Sequence, residues 1–572
     1  LLAFLKQRFN FGQTGRKMKE NSQKYTIPSL LQNSVNQFAD KTSLVFVGEE
    51  NYTYHDLGED VKSTAGLLKK LGVEHGDKVA ILSSNRPNWG IAYFGISWIG
   101  ATVVPILPDF HIKEIESIIE HSEAKVLFVS ELLYRNLSRK AVEMVDHLIL
   151  VENFAIIPKG TPEEKLNKLE SSVDTSLKVE EHADVSEDEV ASIIYTSGTT
   201  GNSKGVMLTH KNLSWTAEKS TSLQDVSTED RFLSVLPLSH TFEGTLGFLF
   251  PVKYGSSVHY LRKPPVSSVL LPALKKVQPT IMLVVPLIIE KVFKSKIYPN
   301  FQKTKIMRTL YSIPAVRKIL HRVAGRKLYQ TFGGKLRFFG IGGAKLDTTV
   351  ERFLYEGKFP YAIGYGLTET SPLLAGSVGK TRKLGSTGIA MDGVQLRLGD
   401  VDLTTGEGEI QAKGENVMKG YYKAPETTSE VFTKDGWFKT GDKGKFDKQN
   451  SLFIRGRIKT MIVGASGENI YPEEIESVIN KMRFVLESLV VEKKGKLVAM
   501  IHLNMEEVEQ NMKNMRTEAH NYFHDKSEEI LKEIQDQVNA ELNKFSKLQR
   551  VVLQPVPFEK TPTQKIKRFL YA

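Results

Sequence analysis

Short apolar, β-branched runs alternate with stretches of helical periodicity through most of the chain. Lys78–Leu82, Ala124–Val129, Ser192–Ile194, Thr280–Val285 and Leu336–Phe339 each read as a buried strand, and Ile112–His121 reads as a helix. This rhythm predicts βαβ units with largely parallel sheets covered by helices. Ligands on such sheets sit beyond the carboxyl ends of the strands, where Gly-rich turns lie. After about Gly376 the texture changes: Asp392-Gly393, Thr405-Gly406, Glu407-Gly408 and Asp435-Gly436 punctuate short segments, which predicts a small antiparallel β-unit or barrel. From Arg457 a compact α+β pattern follows, with a polar helical stretch from Glu506 to Lys544. The expected fold is α/β: a large N-terminal domain (residues 1–456) of two βαβ-type sheets plus a small β-barrel-like subdomain, then a small α+β C-terminal domain (residues 457–572).

From Pro87 to Pro108 no residue is charged, about the length of a membrane-spanning helix. Asn88, Gly90, Gly95, Ser97, Gly100 and the prolines, Pro105 among them, suit lipid poorly. A buried helix, Trp89 to Ile99, followed by a buried strand, Thr102 to Ile106, is the better reading.

At 572 residues the chain is too long for one ordinary core, and 41% apolar with 25% charged residues is the composition of a soluble globular protein. There is no cysteine, which removes disulfides, Cys-based zinc sites and a thiol nucleophile. Any thioester made here takes its sulfur from a partner. The apolar start Leu1–Leu5 lacks a basic flank and does not read as a signal peptide; the missing initiator Met reads as a start inside a longer chain or at an artificial boundary.

The net charge of +11 favours anionic ligands. No nucleic-acid module is recognisable. Residues 291–345 hold fourteen Lys/Arg and no Asp or Glu. That run reads either as a solvated surface or as a patch for an anionic membrane or a phosphorylated ligand.

The richest chemistry lies in YTSGTTGNSKGV, Tyr195 to Val206, between two apolar runs. Small residues let backbone N–H groups approach a polyphosphate. The hydroxyls of Thr196, Ser197, Thr199 and Thr200 add donors, and Lys204 adds charge. The loop lacks the Gly-Lys-Ser/Thr ending of the P-loop NTPases, so it need not prepare γ-phosphoryl transfer.

This stretch resembles the phosphate-binding signature of the adenylate-forming enzymes, which include acyl-CoA synthetases, peptide-synthetase adenylation domains and luciferases. Further matches follow in family order across nearly the whole chain: Gly364-Tyr-Gly-Leu-Thr-Glu-Thr370, Lys439-Thr-Gly-Asp442, Gly456-Arg457-Ile-Lys459, Ser466-Gly467-Glu-Asn-Ile-Tyr-Pro472 with Glu473-Glu-Ile-Glu476, and Pro562-Thr-Gln-Lys565-Ile566. The wording of IIYTSGTTGNSKGVMLTH, PLSHTFE and TPTQKIKR is most similar to long-chain fatty acyl-CoA synthetases.

The resemblance implies a two-step reaction, in which a fatty acid and Mg·ATP give acyl-AMP and pyrophosphate, and the acyl group then passes to CoA. Ser197, Gly198, Thr199, Thr200, Gly201 and Lys204 would clamp the β- and γ-phosphates. Thr196 and Glu369 would hold Mg2+, a hard ion suited to oxygen ligands. Thr368 would meet the α-phosphate, and Tyr365 and Gly366 the adenine, with Gly342, Gly343 and Ala344 lining the base pocket. Asp442, helped by Arg457, would take the ribose hydroxyls, and His240 would sit beside the acyl carboxylate. Gly467 would let the pantetheine arm pass, and Lys459 would be the hinge of a mobile C-terminal domain. Lys565 would bridge carboxylate and α-phosphate; the family often has Gly just before it, whereas Gln564 stands here, a departure shared by long-chain acyl-CoA synthetases.

Taken singly, each residue also has an ordinary role open to it: a helix cap for Glu369, core packing for Tyr365, turn chemistry for Asp442 and Gly467, a surface charge for Lys459, a structural histidine for His240. Acyl carrier protein is the alternative acceptor to CoA, and a non-catalytic nucleotide- or lipid-binding scaffold the alternative of another class. Peripheral contact with an anionic membrane is compatible with the basic run, and no nucleic-acid partner is expected.

Overall fold

The computed structural model describes residues 24–196, 203–463, 469–493, 495–505, 508, 521–542, 546–561 and 566–571. Two eight-stranded sheets carry most of the chain. The first runs Gly420–Tyr421, Lys204–Thr209, Val190–Thr196, Thr102–Ile106, Lys78–Leu82, Val126–Val129, His147–Leu150, Ala155–Ile157. Its five inner strands are parallel and its margins antiparallel.

Alternate residues of these unbroken apolar strands feed two helical layers, as expected where both faces are covered. Val79, Ile81, Val103 and Phe128 pack with Trp89 and Phe94, whereas Ala80, Leu82, Val104 and Val129 pack with Ile115, Ile118 and Ile119. The uncharged stretch forms the helix Pro87–Trp98 and the strand Thr102–Ile106, both within the core. Its glycines make close approach workable: a Cβ on Gly90 would lie 2.6 Å from Leu44 Cδ1, and one on Gly95 would lie 2.9 Å from Thr64 Cγ2. No helix among the described residues is long and apolar enough to cross a membrane.

The second sheet runs Leu44–Phe46, Ser257–Tyr260, Arg231–Ser234, Ile281–Val284, Phe338–Ile341, Tyr361–Tyr365, Ala375–Ser377, Ile389–Ala390, parallel as far as Tyr361–Tyr365 and antiparallel thereafter. The strand expected over Leu336–Phe339 lies two residues later, at Phe338–Ile341. Leu336 is instead a buried plug before the strand, while Gly340 pairs with Leu283 and Ile341 with Val284.

The turn-rich region supplies an antiparallel sheet of four strands, Gln395–Gly399, Gly408–Lys413, Phe438–Phe446 and Leu452–Arg457. Beyond it, Val485–Lys493, Lys496–Leu503 and Arg550–Leu553 form a separate sheet. Ile475, Ile479, Val490, Ile501, Ile534 and Val538 give that sheet and its helices, Pro472–Ile479 and Asn521–Glu541, their own core. The strand that carries Gly456 runs on to Arg457, so the expected 456/457 division falls at a strand's last residue.

Candidate active site

Four strand ends bring the predicted residues together. The hairpin Val190–Thr196/Lys204–Thr209 closes with Thr196 opposite Lys204, so the two residues flanking the Gly-rich loop are cross-strand neighbours. Ser197, Gly198, Thr199, Thr200 and Gly201 lie outside the described residues. Lys204 Nζ sits 5.1 Å from the centre of the Tyr421 ring. The Tyr421 hydroxyl in turn donates to Glu369 Oε1 at 2.8 Å. Burial first, and the Glu369 charge second, push the Tyr421 phenol far above its ordinary range, so it remains a donor.

Glu369 stands in a single 3-10 turn, Thr368–Thr370, directly after the strand Tyr361–Tyr365. Two asparagines fix this turn. Buried Asn416 donates to Leu373 O at 2.7 Å and to Thr370 O at 3.2 Å. Asn212 donates to Glu415 O at 2.7 Å and to Val417 O at 2.9 Å, and Met418 N–H closes the register on Glu369 O at 2.9 Å. Gly366 has a local reason to be glycine, since a Cβ there would lie 1.8 Å from Pro372 O. Thr368 is half-buried beside Glu369.

Across the site, Tyr365 and Asp442 join the second sheet to the four-stranded one. The Tyr365 hydroxyl donates to Asp442 Oδ2 at 2.9 Å, and Arg457 Nε lies 3.1 Å from Asp442 Oδ1. Asp442 and Arg457 are a cross-strand pair, so their contact follows from register. Asp442, then Tyr365 and Glu369, raise the Arg457 pKa above its ordinary value against the opposing effect of burial. Burial, reinforced by Asp442, does the same to the Tyr365 phenol.

Gly342, Gly343 and Ala344 follow the strand Phe338–Ile341, with Gly343 at φ +85° and exposed like Ala344. A Cβ on Gly342 would meet the Phe242 ring at 3.0 Å. Phe242 N–H donates to His240 Nδ1 at 3.2 Å, so His240 caps the turn that sets Phe242. Asn85 clamps the approach to that turn, accepting from Leu238 N–H at 2.9 Å and donating to Leu236 O at 2.6 Å and Ser234 Oγ at 2.9 Å.

Phe242 also lines an almost wholly apolar cavity of ≈540 Å3 counted out to its mouth, together with Leu246, Leu283, Ile341, Ala362 and Gly364. Ile341 and Gly364 are the chain neighbours of Gly342 and Tyr365. The cavity lining therefore adjoins, along the chain, residues of the polar cluster.

Lys459 is exposed in the 3-10 turn Ile458–Thr460, whose Thr460 hydroxyl donates to Glu473 Oε1 at 2.7 Å. Gly467 and Lys565 lie outside the described residues. The flanks of Lys565 are held, however: Lys560 bridges Ile566, Lys567 pairs with Glu559 at 2.8 Å, and Arg568 pairs with Glu476. Glu476 of the Glu473–Glu476 motif is thus an anchor for the tail.

Sequence reasoning did not find Asn85, Asn212, Asn416 or Tyr421. Asn212 closes a visible capping box with Thr209, but its side-chain amide reaches residues 203 and 205 positions away.

The profile of the family described as AMP-binding enzyme matches residues 31–422. The chain belongs to this family. Among curated proteins, this AMP-binding enzyme is 28% identical over 556 residues to the long-chain-fatty-acid–CoA ligase FadD15 of Mycobacterium bovis, covering 91% of this chain and 90% of the relative. It is 28% identical over 570 residues to the chloroplastic long-chain-fatty-acid–[acyl-carrier-protein] ligase AEE15 of Arabidopsis thaliana, covering 84% and 77%. Among solved structures, a benzoate CoA ligase from Burkholderia xenovorans LB400 superposes with a TM-score of 0.74 at 20% identity, covering 95% and 99%. That likeness gives the fold, which is the expected α/β architecture.

Proposed function

We propose that this AMP-binding enzyme is a long-chain fatty acid–CoA ligase that works through an acyl-adenylate. The observation that carries the reading is the convergence of the Tyr365–Asp442–Arg457 and Lys204–Tyr421–Glu369 groups, with an apolar cavity whose lining includes Gly364 next to Tyr365 and Ile341 next to Gly342. Its almost wholly apolar lining suits a hydrocarbon chain.

A carboxylate is a poor electrophile and must be activated. In the first step a carboxylate oxygen attacks the α-phosphorus of ATP, and the bond to the β-phosphate oxygen breaks to release pyrophosphate. In the second the CoA sulfur attacks the acyl carbon, the thiol proton passes to solvent, and AMP leaves with the electron pair of the broken C–O bond. Asp442 and Arg457 would hold the ribose, Tyr365 the adenine face, and Gly343 and Ala344 the edge of the base pocket. Thr368 and Lys204 would meet phosphates, with Ser197–Gly201 completing the clamp.

Mg2+, brought by the nucleotide, fits Thr196 and Glu369, because both offer hard oxygen donors. One Glu369 oxygen accepts from Tyr421, and the other accepts no hydrogen bond from the described residues. When bound, the ion would offset phosphate charge as pyrophosphate leaves. His240 would sit at the rim of the acyl cavity. Residues 457–572 would turn about Lys459 between the two steps, bringing Lys565 for adenylation and Gly467 for thioester formation. The separate core beyond residue 469 supports such a unit.

Transfer to acyl carrier protein is the second reading, favoured by the Arabidopsis relative and by the basic charge of this chain. Acid-dependent ATP–pyrophosphate exchange over a panel of chain lengths tests the first step, and product formation with CoA and with carrier protein tests the second. Exchange with long-chain acids and turnover with CoA are expected. No exchange with any fatty acid overturns the reading, and turnover with carrier protein alone replaces it with the second.

A further inference from the structure

Seven of the fourteen cations of residues 291–345 fall on two helices, Lys305–Ser312 and Pro314–Thr331, joined at Ile313. The inner face of this pair is built. Tyr311 stacks on Phe301 at 4.9 Å and its hydroxyl meets His321 Nε2 at 2.9 Å; Arg317 forks onto Glu356 at 2.9 and 3.1 Å; a Cβ on Gly325 would lie 2.7 Å from Gly357 O.

The outer face carries aliphatic residues that the core does not use. At about 100° per residue, Ile319 and Val323 lie almost opposite buried His321. They are 60% and 67% exposed, and Ile306, Ile313 and Leu310 are 75%, 45% and 38% exposed. Lys305, Arg308, Lys318, Arg322, Arg326 and Lys327 surround them, all exposed and none in an ion pair with a described residue.

We propose that this outer face docks the enzyme on an anionic lipid bilayer. Branched aliphatic tips on a convex helical surface suit shallow insertion between headgroups, while the surrounding cations meet lipid phosphates and carboxylates. Each such cation is drawn to an anionic surface, and a cluster of this size acts collectively. A protein partner is a poorer fit, because the outer apolar positions are Ile, Val and Leu, without the aromatic anchors that concentrate binding energy at protein interfaces. The proposal stands on this surface and does not need the ligase reading to hold.

The full chain, without substrates, is to be co-sedimented with phosphatidylcholine vesicles with and without phosphatidylserine, at low and high salt. Binding to the anionic vesicles should exceed binding to the neutral ones by at least about tenfold and should fall with salt. Ile319→Ser with Val323→Ser, and separately Lys318→Glu with Arg322→Glu, should each lower it about tenfold or more while leaving ATP–pyrophosphate exchange on a short, water-soluble acid unchanged. Equal binding to both vesicle types, or undiminished binding by both variants, overturns the proposal. So does a charge-reversed variant that keeps vesicle binding but loses an acidic carrier protein, since that makes the protein the occupant of the face.

Discussion

Tyr421 holds Glu369 by a 2.8 Å hydrogen bond while its ring lies beneath Lys204. One side chain thus ties the base of the Gly-rich loop to the acid proposed for Mg2+. Tyr421→Phe keeps the ring and removes only the donor. A hydrogen bond to a charged group is worth about 1.5–3 kcal/mol, so adenylation should slow by about tenfold or more, with a raised Mg2+ requirement and little change in melting temperature. Exchange measured against Mg2+ concentration checks this; unchanged Mg2+ dependence would remove Tyr421 from the site.

Asp442 accepts from Tyr365 and pairs with Arg457. Asp442→Asn keeps the shape but weakens both contacts and the acceptor proposed for ribose hydroxyls. The KM for ATP should rise by about tenfold or more, and that for the fatty acid should change little. A rise in the acid KM alone would place Asp442 on the other substrate.

These two clusters differ in how far sequence could reach them. Asp442 and Arg457 face each other across adjacent strands, and Thr196 and Lys204 close one hairpin, so both pairs follow from local pattern. The buried helix Pro87–Trp98 was also legible, because its uncharged run is broken by glycines that only close packing explains. Asn416 was not. It acts through backbone carbonyls 43 and 46 residues away, as Asn85 does through a backbone N–H 153 residues away, and an isolated Asn carries no periodic signal. The strand at Phe338–Ile341 was misplaced because Leu336 is as apolar as the strand itself and Gly340 is a poor strand former.

Lys565 directly precedes Ile566, which bridges to Lys560, and the Arg568–Glu476 pair holds the chain just beyond it. Lys565→Ala removes one positioned charge from the proposed adenylation step. Exchange should fall about a hundredfold or more, comparable to losing one preorganised donor, whereas thioester formation from supplied acyl-adenylate should be far less affected. Equal loss in both half-reactions, or in neither, would falsify the assignment.

Ala362 is buried and lines the apolar cavity from the strand Tyr361–Tyr365. Ala362→Leu adds three carbons to this apolar space. Exchange with long-chain acids should drop about tenfold relative to medium-chain acids, since a few displaced methylenes are worth about 1–3 kcal/mol. A uniform fall across chain lengths would mean that the cavity does not receive the acyl chain.

Glu243 follows His240 by one turn and is fully enclosed, with the Ser234 hydroxyl donating to Oε1 at 2.5 Å. Burial holds its carboxyl up to about 8, against the Ser234 bond, which pulls the other way. Below the ordinary value of 4.5, folded and unfolded chains both carry the proton. Between there and about 8 the unfolded chain has released it and the folded chain has not, so stability falls as pH rises, and the effect levels off above that range. Glu243→Gln has no such proton to lose. The melting temperature of E243Q should therefore gain on that of the wild type as pH is raised from about 5 to about 8, with at most about tenfold in the unfolding equilibrium per pH unit. His210 and His259, both kept neutral down to about 4 by burial, titrate alike in the two proteins and cancel from the difference. Parallel melting curves across that range would show that Glu243 is ionised in the fold, and the enclosed Ser234–Glu243 pair would then have to hold a charge.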